Sequence, residues 1–225
     1  MQSRLFLFAF LLSGEFVFSQ DAILSQYNAF PLYSNVAFAG SKGCSRVVTG
    51  TRLQWLNIDG GYRTYYFSYD QYSRHLNSGF GLEYYRNDNA NGLMVSDVLH
   101  LTLAPHFPVN RKTDSLGKVI IKPAINFGYL QDVMDPNATF GDNIDPEYGF
   151  IYNTQDVAGI SKVQFSDFGA GTMVYGESFY AGFYFHHLTS VSTRLSYDVV
   201  PISTRMTVQG GYILRDTAVL KNFSI

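Results

Sequence analysis

Apolar and polar residues alternate one by one along much of the chain, and helical spacing is nearly absent. Residues 62–72 place Tyr65, Phe67 and Tyr69 on one face and Thr64, Ser68 and Asp70 on the other. Residues 118–129 set Val119, Ile121, Ile125, Phe127 and Tyr129 against Lys118, Lys122, Asn126 and Gly128. Residues 203–214 set Met206, Val208, Tyr212 and Leu214 against Arg205, Thr207 and Gln209. A period of two sends successive side chains to opposite faces, so each segment reads as a strand of about ten to twelve residues.

The same reading predicts strands over 45–56, 78–86, 95–107, 166–175 and 178–187, and another starting near Ala218. Asp59-Gly60-Gly61, Asn77-Ser78-Gly79, the run Asn87 to Gly92, and Gly176-Glu177 supply turn chemistry between them. Two polar stretches rich in Asp, Asn, Pro and Gly, 131–161 and 188–202, read as loops. Beyond the alternation there is no repeat. Pro123 falls inside a predicted strand and lacks a ladder donor, so a bulge or a later strand start is expected there.

Two architectures produce such strands. In a soluble sandwich the apolar faces share a core. In a transmembrane barrel they meet lipid, and the polar faces line a lumen. The strands favour the barrel, being longer than the usual five or six residues, roughly. Tyr62, Tyr72, Tyr84, Tyr129 and Tyr212 lie near strand ends, where an apolar ring with a polar tip suits a membrane interface. Lys122 and Arg205 at mid-strand would be costly in a sandwich core and suit a wet lumen. Glu83, Lys122, Asn126, Arg205 and Gln209 are the candidate lumen-lining residues, either tuning a pore or closing the interior as a salt-linked plug.

Residues 1–19 read as a secretory signal peptide, with Arg4 before an apolar core from Leu5 to Leu12 and Val17-Phe18-Ser19 at the cleavage position. Cleavage is expected between Ser19 and Gln20. No cysteine follows the apolar core closely, so the signal is not of the lipoprotein type. No later apolar stretch approaches the roughly 18–20 residues of a membrane helix. Segment 20–43 is rich in Tyr, Phe, Ser and Asn. It is expected to pack as a plug inside the barrel or at its periplasmic mouth rather than trail as a mobile tail. Residues 44–225 form the barrel domain.

Composition sharpens this picture. The 225 residues are 16% aromatic and only 15% charged, against about 25% charged for a typical soluble domain. Cys44 is the sole cysteine, which excludes internal disulfides and zinc–cysteine clusters. A net charge of −2 without a basic run gives nucleic acid no electrostatic purchase.

Catalytic and metal chemistry find little support. His186-His187 would point to opposite faces of a strand and so could not share an ion; His100 and His106 lie far away in sequence. Ser96 and His100 share a strand face near Asp97, but no Gly-x-Ser-x-Gly elbow accompanies them. Asp132, Asp135, Asp142, Asp145 and Glu147 lack the ordered spacing of a calcium loop and read as a solvated loop. Trp55 reads as an interface anchor or a structural position beside Arg52 and Gln54.

Several motifs in order carry a resemblance. Asp21-Ala22-Ile23 begins a stretch with Ser25-Gln26-Tyr27, Pro31-Leu32 and Asn35-Val36-Ala37-Phe38-Ala39-Gly40-Ser41. Then come Arg52-Leu53-Gln54-Trp55, Tyr62 through Asp70, Gly79-Phe80-Gly81-Leu82, Phe140-Gly141-Asp142, Asp167-Phe168-Gly169-Ala170-Gly171 and Phe185-His186-His187-Leu188-Thr189. This ordered set resembles the PorP/SprF family, outer-membrane components of type IX secretion and gliding motility. The departures are Ala22 for proline, Val36 for proline and Phe38 for tyrosine.

The resemblance implies an all-β, antiparallel up-and-down outer-membrane barrel with no enzymatic activity and no cofactor. It implies as partners the type IX translocon with its periplasmic ring and motor-linked components, outer-membrane lipid, and a secreted adhesin-like surface protein. It also implies roughly fourteen strands, which at about twenty residues each exceed the mature chain. With about eight to ten strands present, a C-terminally shortened member is expected, its two sheet edges needing a partner, further sequence or a smaller closure. A general diffusion porin and a soluble sandwich binding module are the alternatives.

Overall fold

A computed structural model describes residues 24–58, 60–109, 119–135, 144–145, 147–150, 162–189, 192–193, 200–201 and 203–212. The expected signal peptide with its Ser19/Gln20 junction, the strand starting near Ala218, and Phe140, Gly141 and Asp142 lie outside the described residues.

Eight long strands form one antiparallel sheet: β1 (Arg46–Gln54), β2 (Tyr62–Ser73), β3 (Ser78–Asn89), β4 (Met94–Pro105), β5 (Ile120–Met134), β6 (Lys162–Tyr175), β7 (Phe179–His186) and β8 (Arg205–Tyr212). Each pairs with the next in sequence, which is an up-and-down order, and the sheet curls into a half-barrel. Phe107–Pro108 adds a two-residue piece beside β5, and short ladders join 144–145 to 149–150 and 192–193 to 200–201. Among the described residues no ladder joins β1 to β8.

The burial pattern is inverted relative to a soluble sheet. Leu101, Ile125 and Val208 are 55%, 60% and 70% exposed on the outer face, whereas Lys122, Asp70 and Glu83 are 0%, 1% and 2% exposed on the inner. The alternation therefore separates the faces as expected, with the apolar set outward.

The inner face is covered by the segment that precedes β1. Two 3-10 turns, Tyr27–Ala29 and Val36–Phe38, flank one α-helical turn, α1 (Pro31–Ser34). Pro31 at the first helical turn presets φ and needs no donor. The Asn35 carboxamide caps the next turn by accepting from Ala37 N at 2.9 Å. Leu32, Val36, Ala37 and Ala39 pack against Ala104, Ala124, Met173 and Tyr184 of the strands. Leu24 and Tyr33 pack against Tyr66, Tyr85, Val98 and Leu130.

Three details differ from the sequence expectation. Pro123 causes no bulge: the β5–β6 ladder runs through it, opposite Thr172. On the other flank pairing stops at Ile125 and resumes at Ile121, so the proline sits beside the break that follows Pro105. The turn expected from Asn87 begins later, at Ala90, because Asn87, Asp88 and Asn89 still pair with Ser96, Val95 and Met94. Polar side chains do not end a ladder; the positive φ of Ala90, Asn91 and Gly92 does. Likewise β5 runs to Met134, so the loop expected over 131–161 begins as strand, and β6 starts just after it at Lys162.

Candidate functional site

The inner face carries three linked sets of polar contacts. The first holds the turn that enters β1. Asp70 on β2 accepts from Gly40 N at 2.8 Å and from Arg46 Nε at 2.7 Å. Register brings Arg46 directly opposite Asp70. Lys122 Nζ donates to Ala39 O at 2.8 Å, and Arg46 Nη2 donates to Phe38 O at 3.3 Å. Two glycines make the approach close enough. Gly40 has φ +67°, and a Cβ on Gly79 would fall 2.0 Å from Ala39 O.

The second set lies across β7 and β8. Arg205 Nη1 donates to Tyr33 Oη at 3.0 Å, with its guanidinium 4.9 Å over the Tyr33 ring. Its Nη2 lies 2.8 Å from His186 Nδ1. Asn35 Nδ2 reaches the carbonyls of Thr172 and Phe183 at 3.5 and 3.4 Å. These contacts tie the short segment to β6, β7 and β8, as Asp70 and Lys122 tie it to β2 and β5.

The third set is a line of ionisable groups across β3, β4 and β6. Glu83 sits opposite His100. The His100 ring reaches over Gly128, where a Cβ would fall 2.4 Å from it, to lie 3.8 Å from Asp167 Oδ2. Asp167 also meets His187 Nδ1 at 2.9 Å and accepts from Thr189 Oγ1 at 3.1 Å. Leu188 N donates to Phe168 O at 2.7 Å. Asp167 thus holds the start of the long connection after β7.

The five candidate lumen residues share this inner face. Glu83, Lys122 and Asn126 are buried, and Arg205 and Gln209 are half-buried. Lys122 and Arg205 contact the N-terminal segment, while Asn126 Oδ1 accepts from Tyr184 Oη at 2.9 Å. Glu83 Oε1, Thr102 Oγ1 and Asn126 Nδ2 make no hydrogen bond among the described residues.

The histidine pair needs correction. His187 lies just past β7 with φ +54°, so the strand alternation no longer applies, and both rings are buried. His100, distant in sequence, joins His187 through Asp167. Among the described residues no group of three or more His, Cys, Asp or Glu side chains could hold a metal ion. Ser96 lies opposite Asn87 and Asp132, and His100 is engaged by Asp167. The acidic run is dispersed: Asp132 belongs to β5, and Asp145 Oδ1 accepts from the backbone of Glu147 and Tyr148 in a tight turn. Trp55 is 55% exposed at the β1–β2 turn, its ring 5.3 Å from that of Tyr62.

Sequence reasoning passed over Asp70, Arg46 and Asp167. A hairpin centred near Ile58 pairs residue 46 with residue 70, so that register would have placed the opposite charges together. Asp167 gave no such signal, because its partners come from β4 and from beyond β7.

No curated protein and no solved structure matches the chain. One family description, type IX secretion system membrane protein PorP/SprF, matches residues 16–225. That span includes the strands with their outward apolar face and the N-terminal segment packed on the inner face. The chain belongs to the PorP/SprF family of type IX secretion system membrane proteins.

Proposed function

We propose that this protein is a non-enzymatic scaffold of the outer membrane, exported by its signal peptide, that supports export and surface anchoring of an adhesin-like protein by the type IX and gliding machinery. In this reading the apolar outer face meets lipid and the polar inner face belongs to the barrel interior. The family supports a place among secretion components. One observation favours a scaffold over a diffusion pore: residues 24–40 occupy the inner face, held by Asp70, Lys122, Asn35 and Arg205. The polar groups left beside that segment, Glu83, Thr102 and Asn126, suit a hydrated interior.

Loop lengths give an orientation. The connections 74–77, 106–119 and 176–178 lie at one end of the sheet, and the longest ones, 135–161 and 187–204, at the other. Outer-membrane barrels keep short turns in the periplasm and long loops outside. The N-terminal segment then enters β1 from the periplasmic end, and the Asp167 cluster supports an external loop.

Deleting the gene tests this reading. The expected result is loss of surface display of one adhesin with unchanged solute uptake. Normal display in the deletion strain would overturn it. In planar bilayers the purified protein should be silent; steady ohmic channels would favour the porin instead.

A further inference from the structure

A groove of about 1190 Å³ crosses the outer face from β2 to β6. Its walls are Phe80, Leu101, Leu103, Ile125, Phe127 and Phe168, with small residues such as Gly81 and Gly169 forming the floor. It exceeds the usual small-molecule pocket of about 300–1,000 Å³. It is also open to the outside, which suits extended chains better than a compact solute.

Charge in its wall has one sign. Among the described residues, Arg74 and His75, from the β2–β3 turn, are the only ionisable groups there besides tyrosines, and no Asp or Glu takes part. Both lie exposed at the short-turn end of the strands. Arg74 has no ion pair among the described residues. The other end of the same face is different. There Arg86 pairs with Asp97 at 3.4 Å, and Tyr84 Oη donates to Asp97 at 2.7 Å, so the Arg86 charge is neutralised within the protein, and Arg63, the exposed cation at that end, does not line the groove. An exposed cation at the end of an apolar groove complements an amphiphile with an anionic head and hydrocarbon tails.

We propose that this groove binds a glycerophospholipid with an anionic headgroup, its acyl chains along Leu101, Leu103, Ile125 and Phe127 and its phosphate on Arg74. The inference rests on the outer face meeting lipid, and it adds a defined lipid class and a defined residue. By the loop-length orientation, the lipid belongs to the periplasmic leaflet.

Native mass spectrometry of the delipidated full chain in detergent tests it, with added phosphatidylglycerol compared against phosphatidylcholine. Wild type should retain phosphatidylglycerol about fivefold more, the factor expected of one basic residue near an anionic lipid. Arg74→Ala should abolish that preference. Arg63→Ala, an exposed cation at the opposite end of the face, should leave it intact. Equal retention of the two lipids by wild type, an unchanged preference in Arg74→Ala, or an equal loss in Arg63→Ala would overturn the proposal. Heat-modifiable gel migration is the separate control. A protein that migrates as a folded barrel without lipid preference fails only this inference; one that does not so migrate fails the membrane reading beneath it.

Discussion

On β4, Leu99, Leu101 and Leu103 alternate with Val98, His100, Thr102 and Ala104. The leucines are exposed, whereas the intervening residues, two of them polar, are buried. In a soluble sheet the hydrophobic effect would drive the leucines inward. Here they need cover from outside, which in the membrane reading proposed above is lipid. The inner face gains its order differently. Its polar groups are held by charge-assisted hydrogen bonds to a short segment of the same chain, and where the partner is a backbone carbonyl or amide, one residue holds a whole turn. The outer face is specified by composition, and any apolar residue serves. The inner face is specified by geometry, and few substitutions fit.

Substitutions graded by size separate the two rules. The largest effect is expected for Asp70→Ala. Removing the carboxylate strands the Arg46 guanidinium and the Gly40 amide together. The loss should be about 3–5 kcal/mol in denaturant unfolding from lipid vesicles. Next comes Leu101→Arg on the outer face, at about 2–4 kcal/mol for a cation near the bilayer middle. A penalty near zero for Leu101→Arg would mean that this face is wet.

Gly128→Ala should follow. A methyl there collides with the His100 ring and pushes it from Asp167, at about 1–3 kcal/mol for overpacking. Its proteolytic signature should be faster cleavage in the connection after β7, since Asp167 holds that connection through His187 and Thr189. The smallest effect is expected for Arg86→Ala. Its pair with Asp97 is partly exposed, so about 0–1 kcal/mol is at stake in the same unfolding assay. A larger loss would place that end of the face deeper in a low-dielectric medium.

Much of the outer face was legible in the sequence, because alternation alone assigns residues to faces. The strands over 62–72, 166–175 and 178–187 fall within a few residues of β2, β6 and β7. Pro123 misled because a lost donor matters only where a partner strand is present, and the neighbour breaks at Pro105. His187 misled because one left-handed residue cancels the alternation rule. The candidate lumen residues were found as polar positions on apolar strands. The partners of Lys122 and Arg205 were not, since Ala39 and Tyr33 touch them from a segment with no strand period of its own. Contacts made through main-chain carbonyls leave no mark in residue type, so Lys122 announced a charge without announcing what it holds.

The inside-out sheet is the central claim, and lipid quenching along β4 tests it most directly. In a Cys44→Ser background, a fluorophore is attached in turn to cysteines at positions 98 to 103, and the protein is reconstituted with brominated lipid. The account predicts strong quenching at 99, 101 and 103 and weak quenching at 98, 100 and 102. Uniform quenching, or the reverse alternation, would contradict it.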